Sequence, residues 1–238
     1  MSQFPYRPEQ PAWINASTAQ TAERERAFFR SVYAWMFGGL LLTAAAAMWV
    51  VASPQMQQLV FGTPLRWVLL IGELGLVFFL SFRITKISAG TAAAIFLVFS
   101  LLNGLTLSSI FFFYTNAAIS QAFFSAAGMF GAMSIYGMVT KRDLTSWGSF
   151  FFMGLIGILI CSVINIFLKS SALGFAVSII GVFVFLGLTA YDTQKLKHYA
   201  ASPELRENLA IIGALALYLD FINLFLMLLR LFGGGNRR

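Results

Sequence analysis

Apolar residues run along this chain in long uninterrupted stretches, separated by short polar or proline-containing segments. Seven such stretches lie at about 31–52, 66–83, 88–113, 117–139, 147–168, 173–192 and 209–232. A helix needs roughly 20 apolar residues to cross a ~30 Å hydrocarbon core. The ten-residue alternation of a transmembrane barrel is absent. The pattern therefore predicts an all-α integral membrane protein, a seven-transmembrane-helix bundle. Pro54 and Pro64 bound the first loop, Lys141, Arg142 and Asp143 mark the fourth, and Lys169, Ser170 and Ser171 make a tight fifth turn. Connections this short predict antiparallel neighbours. Residues 1–30 are polar, with Pro5, Pro8 and Pro11 and the run Glu23 to Arg26, and read as a mostly disordered cytoplasmic tail. Residues 31–232 form the membrane domain and 233–238 a short C-terminal tail. The start lacks the apolar core and cleavage site of a signal peptide, so the first helix is expected to stay.

Composition agrees with this reading: 59% of residues are hydrophobic and 11% charged, with a mean hydropathy of +0.80. That leaves too little polar surface for a soluble globule of this length. The net charge of +7 distributes unevenly. With the N-terminus inside, Arg7, Arg24, Arg26, Arg30, Arg83, Lys86, Lys141, Arg142, Lys195, Lys197 and Arg206 are cytoplasmic, eleven in all, against Arg66, Lys169, Arg230, Arg237 and Arg238 outside. The excess places the N-terminus in the cytoplasm, and seven spans put the C-terminus on the opposite side. The charge then reads as topology signal and lipid-headgroup contact, with no nucleic-acid partner expected. Cys161 is the single cysteine and reads as a packed core residue.

No enzyme and no cofactor are expected. His198 is the only histidine, and no Gly-x-Ser-x-Gly turn is present. Tyr191-Asp192 matches half of an intramembrane aspartyl protease signature, but Leu217-Tyr218-Leu219 stands where that class has Gly-x-Gly. The last span has no lysine to hold a retinal.

Three acids fall within or at the edge of the spans: Glu73, Asp192 and Asp220. An aspartate at a span centre costs roughly 2.5–3.5 kcal/mol, while Leu, Ile and Phe each return about 0.3–0.6. The last span therefore inserts despite Asp220, and an acid held there is by default a functional candidate. Steps of three and four put Gly213, Ala216, Asp220, Asn223 and Met227 on one stripe, expected to face the bundle interior. Spacing alone leaves open whether Asp220 fixes helix packing or faces a water-filled space. Counted from the span boundaries, Asp220 lies roughly 16 Å deep and Asp192 much shallower, so spacing does not make them meet. Asn103, Asn165 and Asn223 fall mid-span, and their amides are expected to hydrogen-bond between helices. Small residues, among them Gly128, Gly131, Gly137, Gly154 and Gly157, predict close helix approach.

Thr189-Ala190-Tyr191-Asp192-Thr193-Gln194 and Leu217-Tyr218-Leu219-Asp220-Phe221-Ile222-Asn223-Leu224-Phe225 resemble the signature segments of the Bax inhibitor-1 family. The resemblance extends over about residues 28–238 and includes Gly104 to Ser109 and Gly128 to Ser134. Length and architecture resemble a bacterial inner-membrane member. The resemblance implies a bundle with the seventh helix central, and Asp192 and Asp220 bonded to each other near the cytoplasmic side as a pH-sensitive latch on a calcium leak. Such a contact requires the sixth helix to continue past Asp192, or the seventh to start late or tilt.

Two carboxylates in contact away from water cannot both stay ionised and titrate as one unit. Losing the shared proton makes them repel and leaves bare oxygens suited to Ca²⁺, although two carboxylates fall short of its usual six to eight oxygens. Asp192 and Asp220 are thus weak Ca²⁺ ligands on a pathway, with Ca²⁺ or H⁺ as the transported partner. The resemblance also makes Glu73 a candidate pathway entrance. Arg83, first an orientation charge, and Asn223 are candidate latch partners. A second reading comes from one bacterial branch of that family, a regulatory protein that binds a membrane-bound quality-control protease. Residues 1–30 hold no docking motif that would decide for it.

Overall fold

The computed structural model describes residues 12–83, 87–202 and 207–234; for residues 12–20, 81, 82 and 207 it gives the helical path alone. Every element among the described residues is a helix: α1 (Ala12–Ala52), α2 (Pro54–Phe61), α3 (Leu65–Arg83), α4 (Ala89–Leu107), α5 (Ile110–Phe113), α6 (Asn116–Val139), α7 (Thr145–Leu168), α8 (Ser171–Ala201) and α9 (Glu207–Gly233). Six spans are long and apolar enough to cross a membrane, α4 and α5 counting as one, and α2 with α3 makes a seventh bent by 73°. The chain is an all-α integral membrane protein.

Helix starts follow local chemistry. Ser53, Ser88, Thr115 and Ser170 cap α2, α4, α6 and α8, each side-chain oxygen accepting from the N–H three residues on at 3.2–3.3 Å. These hydroxyls satisfy donors that a helix start leaves bare. Pro54, expected in a loop, opens α2 instead, where its missing N–H costs nothing. At the other end of α4, the Ser108 and Ser109 hydroxyls donate to the carbonyls of Leu105 and Thr106, and the helix breaks before α5.

Two boundaries differ from the hydropathy pattern. Residues 12–30, expected as a disordered tail, continue α1 outward, with Phe28 and Phe29 buried in the core. The sixth span, expected to end at 192, belongs to a helix that runs to Ala201. Both extensions carry too many polar residues to read as membrane spans, yet both stay helical.

The seventh span is central. Of the most apolar stretch of α9, 72% is buried, against 6% for α7. Around α9 stand α8, α6, α1 and α4, while α7 packs chiefly on α8 and turns Phe150, Met153, Ile156 and Phe167 outward. Such a surface suits lipid. Gly137 and Gly154 sit in helix contacts as expected, but Gly128, Gly131 and Gly157 have open space beside them. Alternating spans give the bundle two ends. One carries the α6–α7 and α8–α9 connections, and the other carries α2, the α7–α8 turn and the end of α9.

Candidate functional site

The stripe on α9 faces α8. A Cβ on Gly213 would stand 2.5 Å from Leu196 Cδ2, and one on Gly181 would stand 2.7 Å from Met227 Sδ. At each end of the seam, one helix thus offers a glycine to a side chain of the other, which brings the two backbones close. Between these contacts the Asp192 and Asp220 carboxyls are hydrogen-bonding partners. Asp220 is buried, and no donor from the described residues reaches its Oδ2.

The depth conflict raised by the hydropathy boundaries disappears. Because α8 runs to Ala201, Asp192 lies nine residues inside that helix end, about 14 Å at the usual rise. Asp220 lies thirteen residues beyond the start of α9 at Glu207, about 20 Å from the same end of the bundle. Asp192 thus closes the apolar stretch of α8 without closing the helix.

The rest of the signature segment on α8 holds its surroundings. The Thr189 and Thr193 hydroxyls are buried and donate to the carbonyls of Phe185 and Thr189, each at 2.7 Å. Gln194 grips the α6–α7 connection: its Oε1 accepts from Leu144 N–H and its Nε2 donates to Arg142 O, both at 2.8 Å. Lys197 Nζ donates to Met138 O at 2.7 Å. In that same connection the Thr145 hydroxyl, then its N–H, hold the Asp143 carboxyl below the usual carboxylate range.

Among the described residues neither candidate latch partner has a hydrogen bond or ion pair to the two aspartates. Arg83 is exposed at the end of α3, and no ion pair joins it to either aspartate among the described residues. The cation acting on Asp192 is Lys195, whose ammonium also stands 5.9 Å from the ring centroids of Tyr191 and Tyr199. Asn223 donates to Leu219 O of its own helix at 2.8 Å, and Asn165 accepts from Ser170 N–H at the α7–α8 turn, so neither amide bridges two helices as expected. A short polar side chain next to an accepting carbonyl finds its partner locally.

Asn103 does bridge, and it does so at Glu73. Glu73 is buried, and both its oxygens accept: Oε1 from Thr106 Oγ1 at 2.5 Å and Oε2 from Asn103 Nδ2 at 3.1 Å. The Tyr218 hydroxyl donates to Asn103 Oδ1 at 3.1 Å and lies 2.6 Å from Thr43 Oγ1. A phenol has one proton, and here Asn103 takes it, while the one proton of the Thr43 hydroxyl is shared among Tyr218 and the carbonyls of Gly39 and Ser100, each 2.9 Å away. The donors of Tyr218 on α9 and Asn103 on α4 then run in sequence towards Glu73, with Thr43 of α1 against the phenol. Thr106 also lines a cavity of about 610 Å³ between α2, α3 and α5, with Gln57, Arg66 and Ser109. Glu73 is therefore one hydrogen bond removed from an open cavity at the α2 end of the bundle.

Thr43, Thr106 and Tyr218 carry no charge to mark them as partners of Glu73 in the sequence. Their signal was indirect, since Thr106 and Tyr218 lie inside the recognised segments. Two residues apart on α9, Tyr218 and Asp220 differ by about 3 Å in depth and about 200° in direction. One faces α1 and α4, the other α8. The described residues hold no group of three or more His, Cys, Asp or Glu side chains that could bind a metal tightly, so the pair offers a cation two carboxylates only.

A family profile described as inhibitor of apoptosis-promoting Bax1 matches residues 25–237. Inner membrane protein YbhL of Escherichia coli strain K12 is 53% identical over 217 residues, covering 89% of this chain and 92% of the relative. A Rickettsia prowazekii protein is 44% identical over 90% of this chain and 91% of its own length. One from Deinococcus radiodurans is 44% identical over 94% and 96%.

Proposed function

The chain belongs to the Bax inhibitor-1 family, and from that premise we propose that it is a pH-gated cation leak of the bacterial inner membrane, conducting Ca²⁺ rather than catalysing a reaction. The multi-pass architecture and the inner-membrane relative support the location. The observation that carries the gating is the contact of Asp192 with Asp220 on a glycine-bounded seam.

While the pair holds one proton, the carboxyls bond and α8 stays against α9. Once that proton leaves, two like charges face each other where little water screens them, and the seam is pushed apart. The bare oxygens then offer Ca²⁺ a weak site, which suits passage better than storage. Glu73 stands at the other end of the route, beneath the cavity that Thr106 lines. Tyr218 ties that end to α9, so displacement of α9 by the latch also strains the contacts that hold Asn103 and Glu73. Ca²⁺ is cargo on this reading, and the N-terminus lies in the cytoplasm, as the basic residues suggest.

The test is Ca²⁺ entry into proteoliposomes loaded with an indicator, across pH 5–8, for the wild type and for Asp192→Asn and Asp220→Asn. Flux in the wild type is expected to rise with pH, and each substitution to flatten that dependence. Unchanged flux and pH profile in both variants would overturn the proposal.

A further inference from the structure

At the end of the bundle opposite the aspartate pair, a cavity of about 900 Å³ opens between α7, α8 and the end of α9. Among the described residues its lining is one-signed: it holds Lys169 and Arg230 and no carboxylate. Neither cation has an ion-pair partner among the described residues. Asn165 lines the same space, its Oδ1 accepting from Ser170 N–H and its Nδ2 standing over Gly174 of α8. The two charged side chains among the described lining residues are both cations, which selects an anion.

Lys169 adds an observation of a different kind. It terminates α7 in the left-handed region, at φ 51° and ψ 30°, the only non-glycine residue of positive φ among the described residues. Glycine is the ordinary residue for such a helix end. A β-carbon is tolerated there, and Lys169 lines the cavity. Both cations also run against the charge distribution, because this end of the bundle is the one poor in basic residues. They converge on one cavity.

The other wall is apolar. Ile166 and Phe175 line the cavity and are 68% and 59% exposed, so it opens sideways towards the hydrocarbon. A volume of this size is at the upper end for small-molecule sites, well beyond a bare phosphate. Cationic groups beside an acyl-facing wall match an amphiphile with an anionic head, each cation pairing with phosphate oxygens.

We propose that this cavity binds the phosphate of an anionic phospholipid, with Lys169 and Arg230 on the phosphate and an acyl chain along Phe175 and Ile166. The proposal is independent of the leak reading. The test is native mass spectrometry of the full chain in an uncharged detergent, titrated with phosphatidylglycerol or phosphatidylcholine. The wild type is expected to retain phosphatidylglycerol preferentially. Removing either cation should weaken retention about fivefold. Lys169→Gly is the informative variant, because it supplies the residue the backbone prefers and should fold at least as well while losing the ammonium. Arg230→Gln repeats the test from the other helix. Equal retention of both lipids, or unchanged phosphatidylglycerol retention in Lys169→Gly and Arg230→Gln, would overturn the site. Displacement of the lipid by equimolar inorganic phosphate would overturn its assignment to a lipid and give the cavity to a soluble anion.

Discussion

Replacing Tyr218 by Phe removes one oxygen atom and keeps the ring where it packs edge-on to Phe96 and Phe99, with centroids 5.7 and 5.8 Å away. The cost depends on which way the protons point. If Tyr218 donates to Asn103, its loss strands Asn103 Oδ1. The Thr43 hydroxyl, by contrast, can turn back to the carbonyls of Gly39 or Ser100, each 2.9 Å away. The net loss is one bond with its acceptor left unpaired. An unpaired buried acceptor costs about 1–3 kcal/mol. Interhelical hydrogen bonds in membranes average about 0.6 kcal/mol and reach about 1.7, so Tyr218→Phe should cost about 1–1.7 kcal/mol. Thr43→Val removes a donor shared among Tyr218 and the carbonyls of Gly39 and Ser100, strands no acceptor of the chain to Glu73 because Tyr218 keeps its own bond to Asn103, and should cost about 0.6 kcal/mol or less. Equilibrium unfolding in mixed micelles with increasing SDS measures both. The asymmetry is the informative part: a Thr43→Val cost equal to or above that of Tyr218→Phe would refute the donor order, and a Tyr218→Phe cost under about 0.3 kcal/mol would refute the network.

Other consequences can be checked separately. Gln194→Leu leaves Leu144 N–H and Arg142 O without their partners, a loss of about 1–3 kcal/mol. Trypsin should then cut faster after Lys141 or Arg142, and an unchanged rate would count against the grip. Gly213→Ala sets a methyl 2.5 Å from the flexible end of Leu196, so a loss of about 1–3 kcal/mol is expected if the seam is tight, read by the same SDS titration. Asp143 has a lowered folded-state value, so its contribution is full above the ordinary carboxylate range and lost as pH falls through the depressed one. In Thr145→Val the Asp143 carboxylate resonance, followed by carbon NMR, should titrate nearer its ordinary value.

The spans were legible because hydropathy reports where lipid lies, and the α9 stripe because helical spacing reports a shared face. Neither reports where a helix stops. The run from Thr193 to Ala201 is too polar for lipid yet stays helical, and the shallow placement of Asp192 came from treating its apolar boundary as a helix end. The pairing with Asp220 needed the resemblance. Arg83 was a reasonable latch partner by charge, but a charge in the sequence has no azimuth relative to another helix. Lys195, on the same helix as Asp192 and one turn away, was nearer at hand. The Glu73 network was hidden for a related reason: its donors are hydroxyls and an amide from three other helices, and no pattern within one segment couples them.

The length of α8 has a mechanical consequence. Its 31 residues span about 46 Å, more than the ~30 Å hydrocarbon core, so the helix projects beyond the aspartates. Suppose it swings as a rigid arm about the Gly181–Met227 contact. Asp192 is then eleven residues from the fulcrum and Ala201 twenty, about 16 and 30 Å. A parting of about 2 Å between the carboxyls becomes about 4 Å at the tip, and the distal lever drags the α6–α7 connection by way of Gln194. A sub-nanometre proton event inside the bilayer is thereby geared up to the water-exposed rim, where a spin label at Ala201 could follow it.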